Sequence, residues 1–413
     1  MRRNRFQLVC LFLLLALVLS GCKLSVTTFT APDAALTGDV IVLHLDGKAI
    51  PAGTPAAEYG LVLQIPESWQ VISGKASVSP PGLGSLMATD YKIRENPAYA
   101  ERYRPEPGHK IWVGTCTPFT GWPQMAAVTA SVNVVVGDFE GEEGETRTYH
   151  VKMAAAALRN GVWTTDAPPN FFAFSAMTHE TYVESIDVTK IITPFEDITP
   201  EWAAYPFDHP FFGVVHAPTD GHYYVVQGNN QILELDEELN EIATIAIESA
   251  ECLTAITYLN GFLWVGDARG ANYVYKLDLL DNTSQAFEVS SFPDGIGTDG
   301  QLVYVVDQDA SGVLNGVDPD TGEKVRDIET LVQDPVGITY DGSHLLVLDE
   351  NGAIYRVDPQ TGHTHFLFLA PGSGDENTYY GSEGISYIAG YLVIGYGMEN
   401  TMVIGKLAGP ASE

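Results

Sequence analysis

Val336-Gly-Ile-Thr-Tyr340, Gly342-Ser-His-Leu-Leu-Val-Leu-Asp349, Ala353-Ile-Tyr-Arg-Val-Asp358 and the overlapping turn Asp358-Pro-Gln-Thr-Gly362 form one unit, and the C-terminal half of the chain repeats it. The preceding copy reads Asp294-Gly-Ile-Gly-Thr298, Gly300-Gln-Leu-Val-Tyr-Val-Val-Asp307, Val313-Leu-Asn-Gly-Val-Asp318 and Asp318-Pro-Asp-Thr-Gly322. Further copies start near Phe212, Thr254 and Glu383. Their marker glycines are Gly221, Gly261, Gly300, Gly342 and Gly390, at spacings of 40, 39, 42 and 48 residues. Each unit holds short apolar runs with strand periodicity, separated by turn residues. In Asp-Pro-x-Thr-Gly, proline presets one turn dihedral and glycine takes the positive one. A period near forty with about four short strands per unit is the grammar of a β-propeller blade.

Five units are visible, and Phe171–Ile192 offers a sixth set of strands, a closing strand, or the end of the preceding domain. Five and six blades both remain open. The repeat resembles the broad propeller group that includes NHL, YVTN-type and gluconolactonase-like proteins, a likeness that specifies a fold and leaves the chemistry to the site.

Upstream the pattern changes. Asp39-Val-Ile-Val-Leu-His-Leu-Asp46, Val128-Thr-Ala-Ser-Val-Asn-Val-Val-Val136 and Thr146-Arg-Thr-Tyr-His-Val-Lys-Met153 carry period-two alternation. Such runs predict antiparallel strands with one buried face, and several of them predict a sandwich. Tyr59-Gly-Leu-Val-Leu-Gln-Ile-Pro-Glu-Ser-Trp69 resembles the start of immunoglobulin-like modules in bacterial surface proteins. Ala154–Leu158 suits a helix by propensity and equally a strand of small side chains. Tyr91–His109 is a proline-bearing loop with Arg94, Arg102 and Arg104, which suits either an anionic partner or the acidic surface nearby.

The N-terminus reads as an address. Arg2, Arg3 and Arg5 precede the apolar run Phe6–Leu19, which is too short to span a bilayer and suits a signal h-region. Leu19-Ser20-Gly21-Cys22 then resembles the lipobox of bacterial lipoproteins. That resemblance implies cleavage before Cys22, lipid attachment to its thiol and an extracytoplasmic, membrane-anchored location. Lys23 in place of aspartate implies an outer-membrane or surface location. The expected organisation is a signal peptide over 1–21, lipidated cysteine and tether over 22–38, an immunoglobulin-like sandwich over 39–195, and a propeller over 205–409. The fold class is all-β.

Composition narrows the partners. With 21 basic against 53 acidic residues and a net charge of -32, the surface repels nucleic acid. Only Cys116 and Cys252 lie beyond the leader and lipobox, so no disulfide framework is expected.

Chemistry in a propeller sits where the loops entering the first strands and leaving the second strands converge. At the second place stand Gln227, Asp267, Asp307, Asp349 and Tyr396 in matching register, the candidate ligand-binding residues. At the first stand Asp208, His209, Glu251, Asp294, Asp334 and Glu383. Converging carboxylates suit Ca2+, and an aspartate at a strand end equally caps the turn beyond it. Pro293-Asp-Gly-Ile296 and Glu383-Gly-Ile385 resemble the metal-binding signatures of gluconolactonase-like propellers, which marks Asp294, Glu383 and Glu251 as candidate metal ligands. The chain departs from that family: Pro335-Val-Gly337 stands where a Pro-Asn-Gly is expected, and the order of the signatures differs. Gly-x-Ser-x-Gly and phosphate-loop motifs are absent from the sequence. The leading expectation is a surface-exposed binding or scaffolding lipoprotein with a protein or glycan partner. The alternative is a metal-dependent hydrolase or lyase. If the lipobox is read correctly, Cys22→Ala abolishes incorporation of a palmitate analogue and releases the protein from membranes, and equal label on the variant refutes the reading.

Overall fold

The computed structural model describes residues 23–50, 58–79, 89–101, 105–116, 126–159, 162–163, 182–191, 202–206, 211–227, 230–267, 272–289, 292–306, 312–371, 384–396 and 401–407. Cys22 and the leader lie outside them. The chain divides into two units, Met1–Ile191 and Ile192–Glu413.

In the first unit the strands are β1 (Lys23–Thr30), β2 (Ala34–Leu36), β3 (Val40–Ile50), β4 (Glu58–Pro66), β5 (Gln70–Ser79), β6 (Thr89–Lys92), β7 (Arg94–Glu95), β8 (His109–Cys116), β9 (Ala127–Val135), β10 (Thr146–Arg159), β11 (Val162–Trp163) and β12 (Tyr182–Thr189). A single short helical turn, α1 (Pro97–Ala100), interrupts them among the described residues. They form two sheets, ordered β1-β3-β9-β5-β6 and β2-β12-β10-β4-β8-β7, with β11 paired to β10. The alternation along β3 buries Ile41, Leu43 and Leu45 and leaves Val42, His44 and Asp46 half-buried on the other face. Residues from both sheets share one core, including Leu43, Leu63, Val132, Met153 and Ile186. Each such side chain contributes roughly 1.5–3 kcal/mol by leaving water. Trp69, fully buried, packs its ring 5.7 Å from that of Tyr149.

The structure decides three expectations. Residues 22–38 were expected as a tether, yet Lys23–Thr30 pairs with β3 and Ala34–Leu36 pairs with β12. Leu24-Ser-Val-Thr-Thr-Phe-Thr30 has enough β-branched and apolar character to complete the sheets, which outweighs its linker-like composition. Ala154–Leu158 is strand, because Val62, Leu61 and Gly60 of β4 offer it a paired edge that an isolated helical turn cannot match. Residues 182–189 close the sandwich and supply nothing to the second unit. In the Tyr91–His109 loop, the Glu106 backbone N–H donates to buried Gln64 of β4 at 3.2 Å, and Lys152 pairs with the Glu106 carboxylate. This part of the loop covers the sheet.

The second unit is a β-propeller. Its strands are β13 (Trp202–Pro206), β14 (Gly213–Ala217), β15 (His222–Val226), β16 (Gln231–Leu235), β17 (Glu241–Ala246), β18 (Leu253–Leu259), β19 (Phe262–Asp267), β20 (Tyr273–Asp278), β21 (Ser284–Glu288), β22 (Gly295–Thr298), β23 (Val303–Val306), β24 (Val313–Val317), β25 (Lys324–Glu329), β26 (Pro335–Tyr340), β27 (Leu345–Asp349), β28 (Ala353–Val357), β29 (Thr364–Leu369), β30 (Gly384–Ile388), β31 (Tyr391–Tyr396) and β32 (Thr401–Lys406). Four sheets run in chain order, β14–β17, β18–β21, β22–β25 and β26–β29. The fifth is β30-β31-β32 completed by β13, with Ala204 opposite Val403. The first strands pack in sequence, and β14 packs on β30, so the described strands form a closed ring of five sheets. The first described strand of the ring therefore begins at Trp202, three residues before the expected boundary at 205. The closing strand comes from that segment.

Closure requires the inner strands to approach closely. At equivalent register stand Gly213, Ala255, Gly295, Gly337 and Gly384, opposite Val226, Gly266, Val306, Leu348 and Gly395. A Cβ on Gly295 would stand 2.8 Å from the Gly337 Cα, one on Gly337 would stand 3.3 Å from the Gly384 Cα, and one on Gly384 would meet the Phe212 carbonyl oxygen at 1.8 Å. Hydroxyls also link neighbouring blades near the hub. Thr254 Oγ1 donates to the Pro293 carbonyl at 2.7 Å, Ser386 Oγ donates to the Val214 carbonyl, and the Tyr387 N–H donates to Thr339 Oγ1 at 3.0 Å.

Gly384→Ala is expected to destabilise the second unit by about 2–4 kcal/mol, since backbone has to move to admit the methyl. Gly390→Ala, at φ 87 with open space around it, is expected to cost only about 1–2 kcal/mol of left-handed strain. Urea unfolding of the two variants checks the order; equal losses would show that the hub is not closely packed.

Candidate functional site

The candidate residues at the ends of the second strands answer one requirement. Each such strand hands over to a turn whose backbone N–H groups need acceptors. Asp267, 2% exposed at the end of β19, accepts the Glu251 N–H on Oδ2 at 2.9 Å and the Cys252 N–H on Oδ1 at 3.0 Å. It ties the loop entering β18 to the end of β19. Asp349, fully buried at the end of β27, accepts the Asn351 and Ala353 N–H groups on Oδ1 at 2.8 and 2.9 Å. Its Oδ2 accepts the Tyr355 hydroxyl at 2.9 Å. Burial, reinforced by the Asp349 charge, holds the Tyr355 phenol protonated well above the usual tyrosine range. Both carboxylates thus bond inside their own blades.

The other candidates fall in different places. Tyr396, buried at the end of β31, donates its hydroxyl to the Pro371 carbonyl, fastening the loop that leaves the fourth blade. Gln227, half-buried, comes after β15 at the same offset. Glu251 has an exposed side chain and contributes its backbone N–H to Asp267. Asp294 is half-buried immediately before β22. Asp334 takes a left-handed backbone, φ 47, and its carbonyl accepts the Glu350 N–H at 3.0 Å. Asp307, Glu383, Asp208 and His209 lie outside the described residues. Among the described residues no three His, Cys, Asp or Glu side chains group closely enough to hold a metal ion. A cleft of about 470 Å3 lies between the second and third blades, against Phe287, Val305, Asn315, Val317 and the Thr321–Lys324 turn. Its position is on the outer strands, away from the expected mouth.

The opposite ends of the blades hold polar chemistry that the sequence reading did not single out. Asp220 accepts the Tyr224 hydroxyl at 2.9 Å, and Asp299 accepts the Tyr304 hydroxyl at 2.8 Å. Burial is the main cause holding both phenols above the ordinary range, and the facing carboxylates add to it. In the fourth blade Leu346 occupies the tyrosine's place, and Arg356 reaches Asp341 instead, at 3.1 Å with both side chains largely buried. The signal was present in the sequence as the Asp-Gly pairs 220–221, 299–300 and 341–342. In the outer turns, backbone N–H bonds hold the Asp318 and Asp358 carboxyls below their usual range, donated by Asp320 and Thr321 to the first and by Gln360 and Thr361 to the second.

On the sandwich, Ser131 Oγ, His44 and Asp46 lie in hydrogen-bonded order at 2.9 and 3.3 Å. The opposite sheet repeats the arrangement as His150–Ser185 at 2.9 Å beside Thr148–Asp187 at 2.6 Å. Both are cross-strand polar ladders on outward faces.

Asp349→Ala removes the acceptor of two backbone N–H groups and one buried phenol. It is expected to destabilise the second unit by about 3–5 kcal/mol, with Asp349→Asn losing less than half as much. Thermal unfolding measures both; an alanine variant as stable as the parent would free Asp349 for a ligand role.

No family model matches the chain, and no curated protein matches it. Among solved structures, glutaminyl cyclase from Myxococcus xanthus is similar at 13% sequence identity and a TM-score of 0.40, over 51% of this chain and 97% of that one.

Proposed function

We propose that the chain is a lipid-anchored, surface-exposed binding or scaffolding lipoprotein, with the sandwich as spacer and the propeller as recognition head. The observation that carries this reading is the path through the sandwich. The chain enters where Lys23 pairs with Ile50 and leaves where Thr189 pairs with Thr146, at opposite ends of the strands. Entry and exit at opposite ends of the strands, roughly 30 Å apart for nine residues, suit a domain that serves as a spacer. The order β1-β3-β9-β5 facing β12-β10-β4 corresponds to the ABED and GFC sheets of an immunoglobulin-type sandwich, with β2 parallel to β12 as the second half of a split first strand. Strands β6 to β8 are then an insertion between the fourth and fifth strands.

The head is stiffened from within, since Asp267, Asp349 and Tyr396 tie its loops to its strands. Recognition of a protein or glycan then falls to the connecting loops presented by that frame. No helix among the described residues is long and apolar enough to cross a membrane, and attachment is assigned to Cys22.

Proteinase K applied to intact cells carrying the full chain tests the reading. Digestion of the propeller without permeabilisation is expected, and protection until the envelope is opened overturns surface display. Calorimetric titration of Ca2+ separates the hydrolase alternative: micromolar binding lost in Asp294→Asn would favour a metal centre, and its absence favours the binding head.

A further inference from the structure

One third-strand position has a different kind of occupant in the third blade. Strand register aligns Leu233, Tyr275, Asn315, Tyr355 and Val403, each opposite a valine or isoleucine of the second strand. In four blades this residue is apolar and 7% exposed or less. In the third it is an asparagine, buried to the same degree at 7%. A smaller, polar side chain in a packed interface leaves part of the usual volume unfilled. The cleft of about 470 Å3 between the second and third blades has Asn315 in its wall.

This cleft has an apolar inner part and a charged rim. Phe287, Val305 and Val317, each 8% exposed or less, line it beside Asn315. The Phe287 wall is fixed in place. Its ring stacks on that of Trp264, with centroids 5.6 Å apart and planes 17° apart. Gly322 of the outer turn lies so close that a Cβ there would stand 1.9 Å from the same ring. Glu288, Glu323 and Lys324 line the cleft at exposed positions. The Lys324 ammonium is engaged by Asp327 at 3.0 Å. The Glu288 and Glu323 carboxylates have no hydrogen-bond or ion-pair partner among the described residues. The rim is therefore negative, on a chain of net charge -32. A preformed, mostly apolar recess with a few polar groups is the usual form of a small-molecule site.

We infer that this cleft binds a small amphipathic organic cation, an aromatic or branched body bearing an amine or guanidine. The body enters between Phe287, Val305 and Val317, where the Asn315 amide offers both a donor and an acceptor to a ring N–H or hydroxyl. The cationic group stays at the rim beside Glu288 and Glu323, where it keeps part of its hydration and avoids the cost of burying a charge. A second copy of this chain is a poor occupant, because it would bring another acidic surface to an acidic rim. The site is built on outer strands, so it depends neither on recognition by the connecting loops nor on the lipid anchor.

Calorimetric titration of the full chain with tryptamine tests the site, with indole-3-propionate as a probe of like body and opposite charge. One saturable site for tryptamine is expected, with indole-3-propionate binding at least about tenfold more weakly. Glu288→Gln combined with Glu323→Gln is expected to lower the tryptamine affinity about three- to tenfold. Both positions are exposed, so this variant keeps its fold and reads the rim by itself. Asn315→Leu puts into the third blade the side chain that the first blade carries at this register. It is expected to fold, as circular dichroism and thermal unfolding will show, and to lose tryptamine binding. Absence of saturable tryptamine binding at millimolar concentration overturns the inference. So does equal affinity for the two probes, or binding undiminished in a folded Asn315→Leu chain.

Discussion

The propeller depends on how closely its inner strands can approach. Five sheets meet around one axis, and at Gly295, Gly337 and Gly384 the neighbouring backbone stands where a Cβ would have to go. Nothing larger than the Ala255 methyl occupies that ring, so most of the cohesion at the hub comes from elsewhere. The next residues along, Val214, Ile256, Ile296, Ile338 and Ile385, supply large apolar surfaces, four of them 5% exposed or less and Val214 7%. Hydroxyls of Thr254, Ser386 and Thr339 then bond across blade boundaries to backbone groups. A small residue followed by a large apolar one therefore recurs along each first strand, and that order is a packing requirement before it is anything functional.

The same requirement explains the aspartates. A blade of four short strands reverses the chain three times, and every turn leaves backbone donors to be satisfied. Asp236, Asp278, Asp318 and Asp358 meet that demand in the outer turns, each accepting N–H groups two to four residues ahead. Asp220, Asp299 and Asp341 do so at the marker glycines. Much of the acidity of this half of the chain is turn chemistry, with solubility as its by-product. An arginine or lysine cannot replace these residues, because the turns call for acceptors.

How much of this was legible depends on whether a feature is local. The repeat, its marker glycines and the Asp-Pro-x-Thr-Gly turns are local, and they place the blades well. Closure is not local: Trp202–Pro206 looks like a linker until β32 offers it an edge. The same holds for Lys23–Thr30, which acquires strand character from β3. Among the candidate site residues, Asp267 and Asp349 stand at strand ends in matching register, but register says nothing about where a carboxylate points. Asp267 and Asp349 share a position at the strand end, and they bond differently: one reaches back to the loop entering its blade, the other caps the turn ahead.

That contrast bears on where recognition can reside. A repeated residue is shared by all the blades, so it answers a need that every blade has. A ligand meets the ring from one side and needs residues that differ from blade to blade. The third-strand position that holds Glu234, Lys276, Gly316, Arg356 and Ile404 varies in this way, but Arg356 is drawn to Asp341 and Glu234 to His222 within their own blades, while Lys276 reaches the Pro319 carbonyl of the next. Variation there is absorbed by internal compensation. The loops also differ between blades in sequence and length, from the two residues joining β18 to β19 to the fourteen joining β29 to β30. On the proposed reading of the propeller as a recognition head, specificity falls to its unrepeated segments, carried by the repeated frame.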